Sequence, residues 1–126
     1  MIIGLGIDVC RIERVGHFVH RYGDRFLRRC FTADEIKHIQ RYKNNAENYA
    51  GAIAVKEAAS KALGTGWRQG VHWKNFEVAH LPSGKPILRV HGKAAAFTSQ
   101  MGVKNINISI THDDGVAAAV VIFEGE

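Results

Sequence analysis

Apolar residues recur along this chain with two different periods, and each change of period marks an element. Ile2, Ile3, Leu5, Ile7 and Val9 make a β-type run over Met1 to Val9. Gly4 and Gly6 interrupt it, and glycine inside a strand marks a bulge or the close approach of another backbone. Asp8 breaks the run with a charge, which suits either the N-cap of the next helix or a carboxylate ligand at a strand end. From Arg11 to Arg29 the period turns helical, with Val15, Phe18, Val19, Tyr22, Phe26 and Leu27 on the apolar side and a break into two helices at Gly23-Asp24. Thr32 followed by Glu35 is a capping box that opens a further helix, carried by Ile36 and Ile39 to about Arg41 or Tyr42. Lys43-Asn44-Asn45 is a turn.

Tyr49 to Gly66 is a helical stretch that is apolar almost all round, yet holds Lys56, Glu57 and Lys61. With about 100° per residue, Ala46, Ala50 and Ile53 fall beside Glu57, and Lys61 lies one turn further on. Ala52, Val55, Ala59, Ala62 and Leu63 form the opposite side. A helix of this kind is buried in a core, and buried charges are paired or bind metal. A plain Glu57–Lys61 pair at i,i+4 would contribute only ~0.2–0.5 kcal/mol. Gly64 is the expected C-cap.

Beyond a loop at Trp67 to Gly70, Trp73, Phe76 and Val78 begin a strand. Pro82-Ser83-Gly84-Lys85-Pro86 is a turn, and Ile87, Leu88 and Val90 form the strand after it. Gly92 to Met101 is a helix ended by Gly102. Ile106, Ile108 and Ile110 alternate with Asn107, Ser109 and Thr111, giving a strand with a polar face that leads to His112. Asp113-Asp114-Gly115 signals a hairpin, and Val116 to Phe123 is an apolar closing strand. The order β, four helices, ββ, α, ββ predicts an α+β fold, an antiparallel sheet packed with helices.

The 126 residues suit one domain, residues 1–126. No apolar run approaches the ~18 residues that span a bilayer, and MIIGLGID has no basic n-region, so the expected setting is cytoplasmic, without a membrane. Two cysteines without ligand spacing argue against a disulfide scaffold or zinc site, and seven scattered histidines suggest no metal cage. The net charge of +5 favours an acidic partner. Six arginines between Arg11 and Arg29 meet only Glu13 and Asp24, which makes Arg14, Arg21 and Arg25 candidate contacts for that partner. A nucleic-acid module is a rival reading, but no helix-turn-helix, RRM or KH signature is present.

Several motifs coincide in order and spacing: Gly6-Ile7-Asp8, Ile12 and Arg14; Lys56-Glu57-Ala58 with Lys61-Ala62; Gly84-Lys85-Pro86; Ser109-Ile110-Thr111-His112; and the strand with Ala117, Ala119 and Val121. Together, from Ile2 to Phe123, they resemble the holo-acyl carrier protein synthases, the short form of the 4′-phosphopantetheinyl transferases. The resemblance implies transfer of 4′-phosphopantetheine from coenzyme A to a serine of acyl carrier protein, with release of 3′,5′-ADP. It implies Mg²⁺ and a homotrimer with sites between subunits. Asp8 and Glu57 match the family's metal-binding carboxylates, and Lys61 the lysine near the phosphates. Gly84, Lys85 and Pro86 match a turn lining the nucleotide pocket. Ser109, Thr111 and His112 match the strand end near bound coenzyme A, and Arg14 a basic position facing the carrier protein.

The residues agree with this chemistry on their own terms. Mg²⁺ takes one or two carboxylates together with phosphate oxygens and waters. Lys61 could neutralise charge on a leaving phosphate or donate a proton to it. Either a metal-bound water or Glu57 could take the serine proton. One departure stands out: the family carries arginine and then an aromatic residue where Ala52 and Ile53 stand here. Its loss predicts weak discrimination between coenzyme A and 3′-dephospho-coenzyme A, unless Lys56, Lys85 or Arg89 holds the 3′-phosphate. A fold that has lost its activity is the second rival, and Asp8, Glu57 and Lys61 argue against it.

Overall fold

In the computed structural model, which describes residues 1–126, the period-two segments pair into two antiparallel sheets. The first has the order β1 (Ile2–Arg11), β5 (Val116–Glu124), β4 (Asn105–Asp113). The most apolar strand, β5, takes the centre and sends Ala117, Ala119, Val121 and Phe123 into the core. Asp114 and Gly115 turn β4 into β5 with φ of 50° and 79°, the left-handed pair that a two-residue hairpin needs. The second sheet is the hairpin β2 (Phe76–His80) and β3 (Pro86–Val90), turned at Pro82 to Lys85 as expected.

The helices are α1 (Ile12–Tyr22), α2 (Asp24–Cys30), α3 (Ala33–Ile39), α4 (Ala46–Leu63) and α5 (Gly92–Met101). Helix α4 lies across the inner face of the three-stranded sheet, and all but five of its residues are buried. It can lie that close because β1 carries no side chain at two points. A Cβ on Gly6 would sit 1.8 Å from the Ala58 carbonyl oxygen, and one on Gly4 would sit 2.5 Å from that of Ala62. Both expected roles of strand glycine occur here, since the register of β1 also shifts between Ile2 and Gly4. Gly6→Ala is expected to cost about 2–3 kcal/mol through overpacking, read as a lowered midpoint in urea at unchanged slope.

The outer face of this sheet has no helix. Leu5, Ile7 and Val9 are each more than 60% exposed there, level with Ile122, Val120 and Ala118 of β5 and with Asn107, Ser109 and Thr111 of β4.

Three sequence expectations need correction. Trp73 belongs to a 3₁₀ turn, Trp73–Asn75, and the strand starts at Phe76. Asp8 does not cap α1; that position is Arg11. His112 follows Ile108 and Ile110 on the inner face of β4, because period two puts it there, so the polar face of Ser109 and Thr111 points away from it.

The capping box at Thr32 is present, with both of its hydrogen bonds. Its Glu35 also enters the core. Glu35 Oε1 accepts from Lys56 Nζ at 2.8 Å and Oε2 from the Val78 N–H at 2.9 Å. Lys56, fully buried, also donates to the carbonyls of Trp73 and Phe76. Burial lowers its pKa and Glu35 opposes that shift. The ammonium therefore ties α4 to α3 and β2, and it has no donor left for a ligand.

Candidate active site

The seam between β1 and α4 builds the site. Asp8 sits on β1 two residues beyond Gly6, so the close approach that glycine allows brings α4 against it. Glu57 and Lys61, one turn apart on α4, face that point. Lys61 Nζ donates to Asp8 Oδ1 at 2.8 Å and to the Ile7 carbonyl at 3.2 Å. The Glu57–Lys61 ion pair that the i,i+4 spacing offered is not formed, because Lys61 turns to the strand instead. Asp8 and Glu57 lie within hydrogen-bonding reach of each other through their carboxyl groups.

The electrostatics follow from this crowding. Burial and the adjoining Asp8 push the Glu57 carboxyl up to about 7. Burial pushes Asp8 the same way, but its bonds to Glu57 and Lys61 outweigh it and hold Asp8 below the ordinary aspartate value. The bond to Asp8 raises the Lys61 ammonium. The pair is therefore built to hold one positive species between two oxygens, and below about pH 7 a proton on Glu57 serves. With Glu57 ionised, the buried Asp8 Oδ2 has no hydrogen-bond donor, and an unsatisfied buried carboxylate oxygen is costly. No third His, Cys, Asp or Glu joins the pair. Two carboxylates with one orphaned oxygen fit a hard cation that draws its remaining ligands from water and phosphate, as Mg²⁺ does.

Beside Glu57 opens a mainly apolar cleft of about 420 Å³, lined by Arg14, Val15, Phe18, Phe26, Ile53 and Trp73 among others. Arg14 stands 6.0 Å from the Phe18 ring, and Arg21 stacks at 5.5 Å over Tyr22. Arg25 lines the adjoining cleft with Phe18, Tyr22 and Phe26. Of these three arginines, Arg14 shares a cleft with Glu57, Arg25 lines the next cleft along, and Arg21 packs on Tyr22.

The other candidates lie elsewhere in the chain. A cavity of about 220 Å³ is lined by Gly51, Ala52, Pro86, Ile110 and His112. His112 contacts Glu47 there, Nδ1 to Oε2 at 3.3 Å. Ala52 is about 140° round α4 from Glu57 at ~100° per residue, so the helix separates this cavity from the carboxylates. Gly84 and Lys85 are exposed at the hairpin tip, and Ser109 and Thr111 are exposed on the outer sheet face. One chain therefore assembles Asp8, Glu57 and Lys61 in one place and Pro86 with His112 in another. Glu47 and the exposed β1 face went unnoticed in the sequence. The signal for the face was present, since Ile2, Leu5, Ile7 and Val9 left β1 with few polar positions for solvent.

A family model described as the 4′-phosphopantetheinyl transferase superfamily matches residues 4–121. Among curated proteins, the chain is 48% identical over 124 residues to a holo-[acyl-carrier-protein] synthase of Solibacter usitatus, covering 98% of this chain and 99% of that one. It is 44% identical to one of Koribacter versatilis, with the same coverage. Among solved structures, the holo-[acyl-carrier-protein] synthase of Neisseria meningitidis superposes with a TM-score of 0.88 at 28% identity, covering 98% of this chain and 99% of that one. One from Bacillus anthracis, in complex with CoA (3′,5′-ADP), superposes with a TM-score of 0.82 at 32% identity, covering 100% and 99%. No helix of the chain is long and apolar enough to cross a membrane. The chain belongs to the 4′-phosphopantetheinyl transferase superfamily, and within it to the holo-[acyl-carrier-protein] synthases.

Proposed function

We propose that this chain transfers 4′-phosphopantetheine from coenzyme A to a serine of apo-acyl carrier protein, with Mg²⁺, releasing 3′,5′-ADP. The observation that carries the proposal is the Asp8–Glu57 carboxyl pair, with its orphaned oxygen and with Lys61 bound across it. The serine hydroxyl gives up its proton to Glu57 or to water and attacks the β-phosphorus of the donor, the P–O bond to the nucleotide breaks, and 3′,5′-ADP leaves with the electron pair on its 5′-phosphate oxygen. Such a transfer needs positioning and neutralisation of charge more than covalent help. Asp8 and Glu57 would hold Mg²⁺, which when bound supplies positive charge against the phosphate oxygens. Lys61, exposed beside Asp8, adds a second positive charge where the leaving phosphate develops its own. Incubating an apo-carrier protein with coenzyme A, Mg²⁺ and the chain should add one phosphopantetheine mass to the carrier. An unchanged carrier mass rejects the proposal.

Two facts support a homotrimer with sites between subunits. The outer face of the sheet exposes an apolar stripe. Helix α4 also separates the carboxylates of one chain from its own His112 and Pro86, so a donor reaching both kinds of residue would bridge two chains. The carrier is proposed to dock on the basic face of α1 and α2. Arg14→Glu should then raise KM for the carrier about tenfold while moving that for coenzyme A little. The effect should shrink with salt, since exposed charges are screened beyond ~10 Å at 0.1 M. Equal changes in both KM values would refute docking at Arg14.

A further inference from the structure

Trp73 has no part in the chemistry of the carboxylates, yet it reaches their cleft from a distant segment of the chain. It lines the 420 Å³ cleft beside Glu57 and the adjoining cleft of about 480 Å³ that holds Arg25 and Arg29. Phe18, Phe26 and Cys30 line both spaces as well, so the two clefts meet along them. In the second cleft every lining residue except Trp73 belongs to α1 or α2. The indole is oriented by a stack. Its ring centroid lies 4.0 Å from that of Trp67, with planes 28° apart, and Trp67 in turn meets the buried Phe76 ring at 6.0 Å and 65°.

Lys56 anchors the Trp73 carbonyl to the core, but the course of the turn beneath the indole depends on Asn75. Asn75 Oδ1 accepts from the His72 N–H at 3.1 Å, closing the 3₁₀ turn on the residue before Trp73. The same oxygen lies 3.4 Å from the Ala94 N–H in the first turn of α5, and the Asn75 carbonyl accepts from the His91 N–H at 2.7 Å. Gly92 leaves room for the amide, since a Cβ there would stand 2.8 Å from Asn75 Nδ2. One side-chain oxygen thus joins the turn under Trp73 to the start of a helix outside the site. A 3₁₀ turn of three residues is weak by itself, so removal of that oxygen frees the turn and the indole with it.

We infer that Asn75 is a positioning residue that holds Trp73 as a wall of the joined clefts, and that Trp73 sets affinity for the acidic carrier. The inference rests on the carrier reading proposed above. Charge selects the occupant: Arg14, Arg25 and Arg29 flank an apolar furrow, which suits an apolar side chain carried on an acidic surface. A tryptophan in such a furrow is the kind of residue on which binding energy concentrates.

The test combines kinetics with circular dichroism. Trp67 and Trp73 are the only tryptophans in the chain, so the exciton couplet of the stacked indoles reports their geometry. Asn75→Ala should lose most of the couplet and raise KM for the carrier about tenfold, with kcat and KM for coenzyme A little changed. Asn75→Asp should restore both readings, because a carboxylate oxygen accepts the same N–H groups. Trp73→Ala should raise KM for the carrier by a similar factor, and adding Asn75→Ala to it should raise KM no further, since one residue acts through the other. Trp73→Ala leaves the Asn75 bonds in place, so it tests the contact even if Asn75→Ala does not fold. An unchanged carrier KM in Trp73→Ala overturns the contact. An Asn75→Ala chain that melts lower but keeps its couplet and its carrier KM overturns the positioning role, as do effects that multiply in the double variant. An unmodified chain that modifies no carrier rejects the carrier reading and the contact with it, while the couplet still decides whether Asn75 sets the stack.

Discussion

Asp8→Asn and Glu57→Gln should each lower turnover by about a thousandfold or more while the chain stays folded. Each removes half of a carboxyl pair for which no third acidic, His or Cys side chain can substitute. Their effects on stability should differ, and the difference identifies what the pair is for. The Glu57 carboxyl is raised from an ordinary 4.5 to about 7 in the folded chain. A raised carboxyl contributes stability below its unfolded value, and that contribution is lost as pH rises toward 7. At pH 8 without Mg²⁺, Glu57→Gln should therefore melt no lower than the unmodified chain. Asp8 is shifted the other way, so its contribution is present above about 3.8 and lost on acidification. Asp8→Asn should accordingly melt lower at pH 8, as Lys61 loses its charged partner. Mg²⁺ should raise the melting temperature of the unmodified chain at pH 8 and that of neither variant. Near-normal turnover in either variant, or a Mg²⁺ response retained in both, would show that the carboxylates do not hold the metal.

The second large effect concerns stability alone. Lys56→Met leaves Glu35 charged in a core where both residues are almost wholly inaccessible. Breaking a buried pair from one side costs about 3–5 kcal/mol. For a domain of this size that is a fall in melting temperature of roughly 10–15 °C. Lys56→Met/Glu35→Leu removes the stranded charge but also the acceptor for the Thr32 and Val78 N–H groups. It should recover only part of the loss. Thermal melts of the three chains decide the matter, and a single-variant loss under about 1 kcal/mol would mean that water reaches the pair.

Much of this molecule is legible from residue order. The period changes place ten of the eleven elements, since Thr32–Glu35, Gly64 and Asp114-Gly115 each act through bonds to near neighbours. Trp73 misleads because its β-forming character is overridden by a local turn, in which the Asn75 side chain takes the His72 N–H. At the site, Asp8, Glu57 and Lys61 are legible as charges where an apolar pattern has no use for them. Lys56 looks the same in sequence, yet it is a core residue. What separates it from Lys61 is Glu35, 21 positions away, and local patterning does not measure that distance. The bond from the His91 N–H to the Asn75 carbonyl is hidden for the same reason, since only the β2–β3 hairpin brings its two ends together.

The seam at Gly6 also constrains the inheritance of this site. A clash with a side chain can be relieved by a smaller neighbour, and a suppressor screen would find it. The atoms facing Gly6 are the carbonyl of Ala58 and the amide of Ala62, which every amino acid carries. A second-site revertant of Gly6→Ala would have to move α4 as a whole, taking Glu57 and Lys61 away from Asp8. Selection for folding alone should thus recover stable but inactive double mutants, and selection for activity should return only glycine at position 6.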